Sequence, residues 1–545
     1  MLKKLGLYYR TIKHLKPIQI RYRLWYMLRN RIRKLTGHSY PLSIPQKGHS
    51  LSLQSGIHKP STFDLDSEAL AQESLRLSTS TKSFTFLNQT QSFEGAINWN
   101  TNTRGKLWAY NLNYFDYLHQ PEMTKEQGLP VIREFIKQIE NNREGLEPYP
   151  ISLRGINWIK FLNKYDIQDP ATDASLYAQY QILLDNPEYH VDGNHLMENG
   201  CSLLFGACYF RDEQLWDAAC SLITQELQHE VLGDGGHYER SVMYHCIIME
   251  RLLDSYNLFS HNRCFADQDQ LEEELATNLQ QMLGWLAAVQ WESGALPEVN
   301  DHVAEMTPSV SGLFEYAQRL GLQAKAVALG ESGYRKYSTS NYELLADVGD
   351  IGPDYVLGHA HSDTFSFLLR IGGQEVITDT GTSTYENNRR RQMERSTAAH
   401  NTVVVDGKEQ QEVWSAFRVG RRGHVERLKD GPNEITAQHD GYKFLNIVHQ
   451  RRFECAEDSI SITDHLEGSQ KNTSAVSYLH FSPGIELRMD GDEIRGDGFS
   501  ISFHNHTAIE LDSYKKAVGY NTLREATVAK VSFRDELKTA ITISG

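Results

Sequence analysis

Apolar residues recur every three or four positions between about residues 60 and 340, and every second position from about residue 345 onward. The first period is that of an amphipathic helix and the second that of a half-buried strand. Helices are predicted over "TKEQGLPVIREFIKQIENN", "CSLLFGACYF", "EQLWDAACSLITQELQHEVL" and "QLEEELATNLQQMLGWLAAVQ". Between them, "NWNTNTRGKLWAYNLNYFDYL", "YPISLRGINWIKFL", "GNHLMENG" and "DGGHYERSVMYH" read as loops rich in aromatic and polar residues. Helical hairpins stacked in a ring gather such loops at one end, where sites are usually built. Further on, "FSFLLRIGGQEVITDTG" reads as a hairpin with a Gly372-Gly373 turn, and "HNTVVVDGKEQ" and "GDGFSISFHNHTAIEL" continue in the same style. The expected fold is α+β and multidomain. A basic segment over 1–60 leads to an α-rich domain over 61–344 and an antiparallel β-sandwich over 345–545.

At 545 residues the chain is too long for one core, and 40% hydrophobic with 23% charged residues is ordinary for a globular protein. The formal net charge is -15, yet the first acidic residue is Asp64. The basic, aromatic-rich leader is read in two ways: a helix packed on the acidic remainder of the chain, or a peripheral contact with an anionic membrane surface or acidic polymer. It lacks the apolar core of a secretory signal, so a cytoplasmic or peripheral-membrane location is expected, with no nucleic-acid partner. Cys201, Cys208, Cys220, Cys246, Cys264 and Cys455 form no CxxC pair and lie mostly in apolar helical stretches, which reads as reduced thiols and no zinc finger.

Three constellations carry chemistry. In "GNHLMENG", Asn194 and His195 open an apolar helix, where free N–H groups favour an anion, and Glu198 lies one turn on. In "DGGHYERSVMYH", Tyr244 and His245 lead another helix, and a phenol there packs, donates a proton to a leaving oxygen, or acts as base if its pKa is lowered. "GHAHSDTFSF", "VITDTG" and "RSTAAHNTVVVDG" supply His359, His361, Asp379 and His400. On a strand, His359 and His361 share a face; they serve as two ligands of one metal, as one ligand and one base, or as polar residues facing water. A strict two-residue turn pairs Asp379 with Ser366 and leaves His361 about 16 Å down the strand, so the segment before Thr364 must fold back if these ligands are to meet.

Taken together, "NHLMENG", "DGGHYERSVMYH", "GHAHSDTFSF", "VITDTGT" and "RSTAAHNTVVVDG" resemble the heparinase II/III superfamily of polysaccharide lyases, over about residue 90 to the end. The resemblance implies an incomplete (α/α) toroid followed by a β-sandwich, a build shared with some alginate lyases. It implies cleavage of a uronic-acid polysaccharide, glycosaminoglycan-like or a bacterial exopolysaccharide, by β-elimination. Such a reaction removes the C5 proton and expels the C4 oxygen, and needs preplaced donors to neutralise the uronate. By the same resemblance Asn194 and His195 neutralise that carboxylate, Tyr244 delivers the proton to the leaving oxygen, and His359 is the second base. His361, Asp379 and His400 hold a structural divalent metal, zinc foremost, with manganese or calcium as alternatives. Glu198 matches a further site position.

Arg154, Arg395, Trp108, Tyr110 and Asn113 have the right character to bind an anionic sugar polymer, by ring stacking and guanidinium forks. Two other functions use the same scaffold: a uronyl C5-epimerase, in which no leaving group is expelled, and a non-catalytic glycan-binding protein. The sequence leaves the oligomeric state open.

Overall fold

The computed structural model describes residues 2–57, 62–65 and 81–544. The expected boundary at residue 60 lies outside them. Two helices, α1 (Leu2–Ile12) and α2 (Pro17–Thr36), lead the chain. Next comes a three-stranded antiparallel sheet of β1 (Thr62–Leu65), β2 (Thr81–Phe86) and β3 (Gln89–Glu94), where the sequence reading had helix. In "TKSFTF" every second side chain is buried, so the local period is two and the strand wins.

The helical body runs through α3 (Lys106–Tyr114), α4 (Lys125–Gln138), α5 (Pro148–Lys164), α6 (Pro170–Asp185), α7 (Asn194–Phe210), α8 (Glu213–Glu230), α9 (Val242–His261), α10 (Asp269–Val289) and α11 (Val310–Arg319). α7 packs on α5, α8 and α9, and nearly all its residues are buried. A helix apolar on all sides belongs at the centre of a helical array. Two stretches expected as loops are helices: "KLWAYNLNY" is α3 and "PYPISLRGINWIKFLNK" is α5, which starts with proline in its first turn.

After the helical body, strand structure resumes at Tyr334, ahead of the expected boundary at 345, with β4 (Tyr334–Ser338), β5 (Tyr342–Asp347), β6 (Phe367–Ile371) and β7 (Gln374–Ile377) paired in that order. The hairpin of β6 and β7 turns on Gly372 and Gly373 as expected; both have positive φ, 55° and 79°, and Ile371 faces Gln374. This is the backbone a two-residue turn between right-twisted strands requires. β8 (Val403–Val405) edges a second four-stranded sheet, and residues 425–543 supply an eight-stranded antiparallel sheet. Buried apolar residues from these sheets form one core, separate from the helical core. The order of helical body and antiparallel sandwich is the expected one.

Cys208 and Cys264 are joined in a disulfide, not reduced as expected. Folding brings their Cα atoms to 5.2 Å although they lie 56 residues apart, a proximity that local spacing cannot reveal.

One buried ion cluster links the large sheet to the site. Arg451 and Asp464 face each other across paired strands, with Nε to Oδ1 at 2.6 Å, and His449 Nε2 lies 2.7 Å from the same oxygen. Arg451 also donates to the carbonyls of Phe365 and Asn401, at 2.6 and 2.7 Å. Burial pushes the Asp464 carboxyl up, but Arg451 and His449 outweigh it and hold the pKa at about 2. A carboxylate with a depressed native pKa stabilises the fold above its unfolded value and loses that contribution as pH falls through the native one. The contribution is about 2 kcal/mol and disappears between roughly pH 4 and 2. Asp464→Asn also leaves a buried guanidinium without its partner, so a loss of about 3–5 kcal/mol is expected. Thermal melts of both proteins from pH 6 to 3 check this: the variant melts lower throughout, and an unchanged melting temperature would contradict the assignment.

Candidate active site

Two loop-to-helix junctions and one irregular segment converge between the helical body and the sandwich. The first is the start of α7. Asp192 and Gly193 both have positive φ, 72° and 65°, and a Cβ on Gly193 would meet Glu239 Oε1 at 2.6 Å. Glycine is therefore required there, and it aims the amide end of α7 at Glu239. That carboxylate accepts from the Asn194 backbone N–H at 3.1 Å and from Asn194 Nδ2 at 3.0 Å. His195, next along, keeps 30% of its side chain exposed and holds Glu188 Oε1 at 3.1 Å through Nδ1. Burial lowers the His195 pKa, but Glu188 more than reverses this, so the ring is held cationic to higher pH than usual.

The second junction is the start of α9. Ser241 caps it, accepting from Tyr244 N at 3.3 Å while its hydroxyl donates to the Asp301 carbonyl at 2.5 Å. This fixes the first turn, and Tyr244 lies face to face with His359, ring centroids 3.8 Å apart. Burial raises the Tyr244 pKa well above the ordinary phenol value, with Tyr385 and Asp301 adding to it, so the hydroxyl stays protonated at neutral pH. Tyr385 Oη lies 3.5 Å from Tyr244 Oη, too far for a strong O–H···O bond, whose usual length is about 2.8 Å.

His359 and His361 do not lie on a strand; residues 358–366 are irregular, and β6 starts only at Phe367. The segment folds back, turning at Phe365 with φ 69° and tied by Phe365 N to the Asp347 carbonyl at 3.0 Å. The two imidazoles straddle Asp301: His359 Nδ1 reaches Oδ2 and His361 Nε2 reaches Oδ1, each at 2.9 Å. Arg391, on α12 (Arg389–Glu394), holds both oxygens of the same carboxylate with its two terminal nitrogens. Burial would raise the Asp301 pKa, but Arg391 and the two histidines drive it well below the carboxylate range. Asp301 is thus an ionised acceptor, which places a proton on His359 Nδ1 and leaves Nε2 as the basic nitrogen. That Nε2 lies 3.6 Å from Glu239 Oε2. Phe417, 42% exposed, stands edge-on to His359 with centroids 6.0 Å apart and forms an apolar wall beside it.

Backbone strain is concentrated here. Asp192, Arg240, Asn300 and Phe365 all have positive φ and each adjoins a residue of the site or its supports. Such conformations persist where surrounding bonds over-determine them. Asn300, for example, receives His361 N at 2.9 Å and donates to the Arg240 carbonyl at 3.2 Å.

The expected metal residues gather at the inner side. His400 Nδ1 lies 2.6 Å from Asp379 Oδ2, and the rings of His361 and His400 are 5.2 Å apart. Among the described residues no group of three or more His, Cys, Asp or Glu side chains is disposed around one point to hold a metal. Asp379 faces Nδ1 of His400 and accepts Gly381 N at 2.8 Å with its other oxygen. The donor chemistry nevertheless fits a cation: His361 Nδ1 and His400 Nε2 are both buried without a hydrogen-bond partner. Each ring's other nitrogen is turned to a carboxylate, the arrangement that orients imidazole ligands.

The expected sugar-binding residues are placed otherwise. Trp108, Asn113, Arg154, Arg395 and Glu198 are all at most 1% exposed, buried rather than lining an open surface. Arg154 donates to Gln179 Oε1 and to the carbonyls of Asn113 and Gly145, and burial lowers its pKa to about 9. Arg395 donates to the carbonyls of Ala360 and Ser415, tying down the segment that carries His359. Trp108 donates to the Gln89 carbonyl, Asn113 to that of Trp99, and Glu198 pairs with Arg251 at 2.7 Å. The burial of Trp108, Asn113 and Arg154 follows from α3 and α5 being core helices, and that of Glu198 from its place on α7. Tyr110 is half-buried, with its hydroxyl on Glu147. His245 points into the core between His237 N and the Met282 carbonyl.

Asp301, Arg391, Tyr385 and Glu239 were not anticipated. Only Glu239 lay in a quoted motif; the others have no local signal, because their partners are distant in sequence.

Residues 322–544 match the family model described as "Heparinase II/III-like, C-terminal", and residues 160–319 match "Heparinase II/III N-terminus". No curated protein matches the sequence significantly. Among solved structures, one described as heparinase III superposes with a TM-score of 0.62 at 14% identity, covering 83% of this chain and 80% of its own. A mutant heparan sulfate lyase from Pedobacter heparinus gives 0.58 at 17% identity, covering 86% and 82%. At such identities these likenesses speak for the fold.

Proposed function

We propose that this chain, which belongs to the heparinase II/III-like family, is a polysaccharide lyase that cleaves a uronic-acid-containing polysaccharide by β-elimination. One observation carries the reading: a protonated phenol stacked 3.8 Å from an imidazole whose tautomer is fixed by an ionised aspartate. A phenol that keeps its proton, beside an imidazole with a nitrogen free of Asp301, is the acid and base pair the elimination needs. The solved relatives named heparinase III and heparan sulfate lyase are consistent with this reaction class.

In this mechanism the uronate carboxylate lies against His195 and the second hydrogen of Asn194 Nδ2. His195 supplies positive charge and Asn194 a fixed dipole, so the charge that develops on the carboxylate as C5 loses its proton is met without reorganisation. His359 Nε2 takes the C5 proton. The electron pair forms the C4–C5 double bond as the C4–O bond breaks, and Tyr244 gives its hydroxyl proton to the departing oxygen. Asp301 steadies the imidazolium, and Arg391 keeps Asp301 ionised while doing so. Once the product leaves, the proton gained by His359 and the one lost by Tyr244 balance, and exchange with water entering the site restores both groups. A divalent cation, zinc foremost, would be held by His361 and His400, with Asp379 orienting His400; its contribution is to brace the inner side of the loop that presents His359.

The test is a panel of defined uronate polysaccharides, reading the ultraviolet absorbance of the unsaturated product. Appearance of that chromophore with chain shortening is expected for at least one member. Solvent deuterium entering C5 without chain cleavage would overturn the lyase reading in favour of an epimerase.

A further inference from the structure

The helices α1 and α2 are amphipathic the wrong way round for a segment facing water. α2 docks on the body through polar groups: Gln19 donates to the carbonyls of Val191 and Tyr355, Arg23 to that of His190, and Tyr26 to that of Pro187. Arg29 and Arg33 complete this face by pairing with Asp185. On the opposite face, at helical spacing, Ile20, Leu24, Leu28 and Leu35 are 38%, 59%, 54% and 87% exposed, with Arg21 and Arg31 exposed among them. α1 repeats the arrangement: Arg10 pairs with Glu412 on the body, while Leu5, Tyr9 and Ile12 are 58%, 70% and 47% exposed. An outward apolar stripe carried on two successive helices is far from the scattered single apolar residues of an ordinary surface.

We propose that α1 and α2 form a membrane-docking face that lies in the interface of an anionic lipid leaflet, with the apolar stripe in the acyl boundary and the arginines among the headgroups. The occupant is decided by charge. No acidic residue precedes Asp64, in a chain whose net charge is -15, so the basic character is confined to this end. A leaflet of anionic lipids supplies both an apolar layer and negative headgroups, and long arginine stems reach from one to the other. A second copy meeting this face by two-fold symmetry would set Arg21 and Arg31 against their own counterparts with no carboxylate to separate them. Among the described residues no helix is long and apolar enough to cross a membrane, so the mode is to lie flat; α2, 20 residues, spans about 30 Å in the plane. The loop that α2 grips, 187–192, carries Glu188, the partner of His195, so the docked helix and the candidate site share a support.

The experiment is vesicle co-sedimentation of the full chain, with phosphatidylglycerol–phosphatidylcholine vesicles against pure phosphatidylcholine, at low and high salt. Binding to the anionic vesicles that weakens with salt is expected, with little to the neutral ones. Arg21→Glu/Arg31→Glu and Leu24→Glu/Leu28→Glu should each weaken vesicle binding by about tenfold or more while leaving the melting temperature unchanged. Equal binding to both lipids, no binding to either, or full binding by the leucine variant overturns the proposal. So does a solution dimer that Leu24→Glu/Leu28→Glu dissociates, since the face would then be covered by a second copy.

Discussion

Tyr244→Phe is expected to lower kcat by about 10²-fold or more while leaving substrate binding and fold intact. The change removes one hydroxyl from a ring that keeps its stack on His359 and its place among Met243, Val303 and Tyr520. Because burial holds the phenol protonated, the hydroxyl is a proton donor at neutral pH, and its loss leaves the departing oxygen without an acid. Tyr385 Oη lies 3.5 Å from the position of the lost hydroxyl, too far to stand in its place, so it replaces the lost proton poorly. Steady-state kinetics on any polysaccharide the wild type cleaves, with circular dichroism for the fold, measure the effect. A variant retaining more than about a tenth of wild-type kcat would remove Tyr244 from the mechanism.

His359→Ala and His361→Ala are expected to fail differently. His359 keeps 13% of its side chain exposed and has Nε2 3.6 Å from Glu239 Oε2, so its alanine variant should lose about 10²–10⁴-fold in kcat and keep its melting temperature and metal content. His361 is fully buried with Nε2 on Asp301 and Nδ1 unpartnered, so its loss opens a cavity, frees one bond of Asp301 and removes a donor of the proposed metal site. That variant should melt lower and lose bound metal, with activity falling as a consequence. Metal analysis and thermal melts on both proteins separate the cases. Equal metal loss in both would make the pair joint ligands and send the search for the base elsewhere; unchanged metal content in both would remove the cation from this site.

The two histidines show where local reasoning ends. Their i, i+2 spacing puts them on one face only if the segment is a strand, and it is not, because Phe365 turns the backbone and Asp347 and Asn300 hold it folded back. What sets their roles is Asp301, 58 and 60 residues earlier in the chain. Nothing in "PEVNDHVAEM" marks that aspartate as an acceptor for two imidazoles and a guanidinium. Arg154 and Trp108 make the same point in reverse. Their loops look exposed because Asn, Thr, Gly and Pro are frequent around them, yet α3 and α5 form there and turn these side chains into the core. Helix formation in these stretches is settled by packing, α3 on α5 and α5 on α7, which local propensity cannot report.

By itself the sequence determined the long amphipathic helices, the glycine hairpin, the change of period from helix to strand, and the motifs whose order resembles one lyase family. These are local, since a periodic apolar face or a positive-φ turn is written within a few residues. Only the tertiary structure decided which histidine faces the cleft, that Asp379 stands behind His400, and that the basic leader carries its apolar face outward. Each of these depends on partners brought together across the junction of two domains, and a hydrogen-bond partner far along the chain leaves no trace in the spacing of its neighbours.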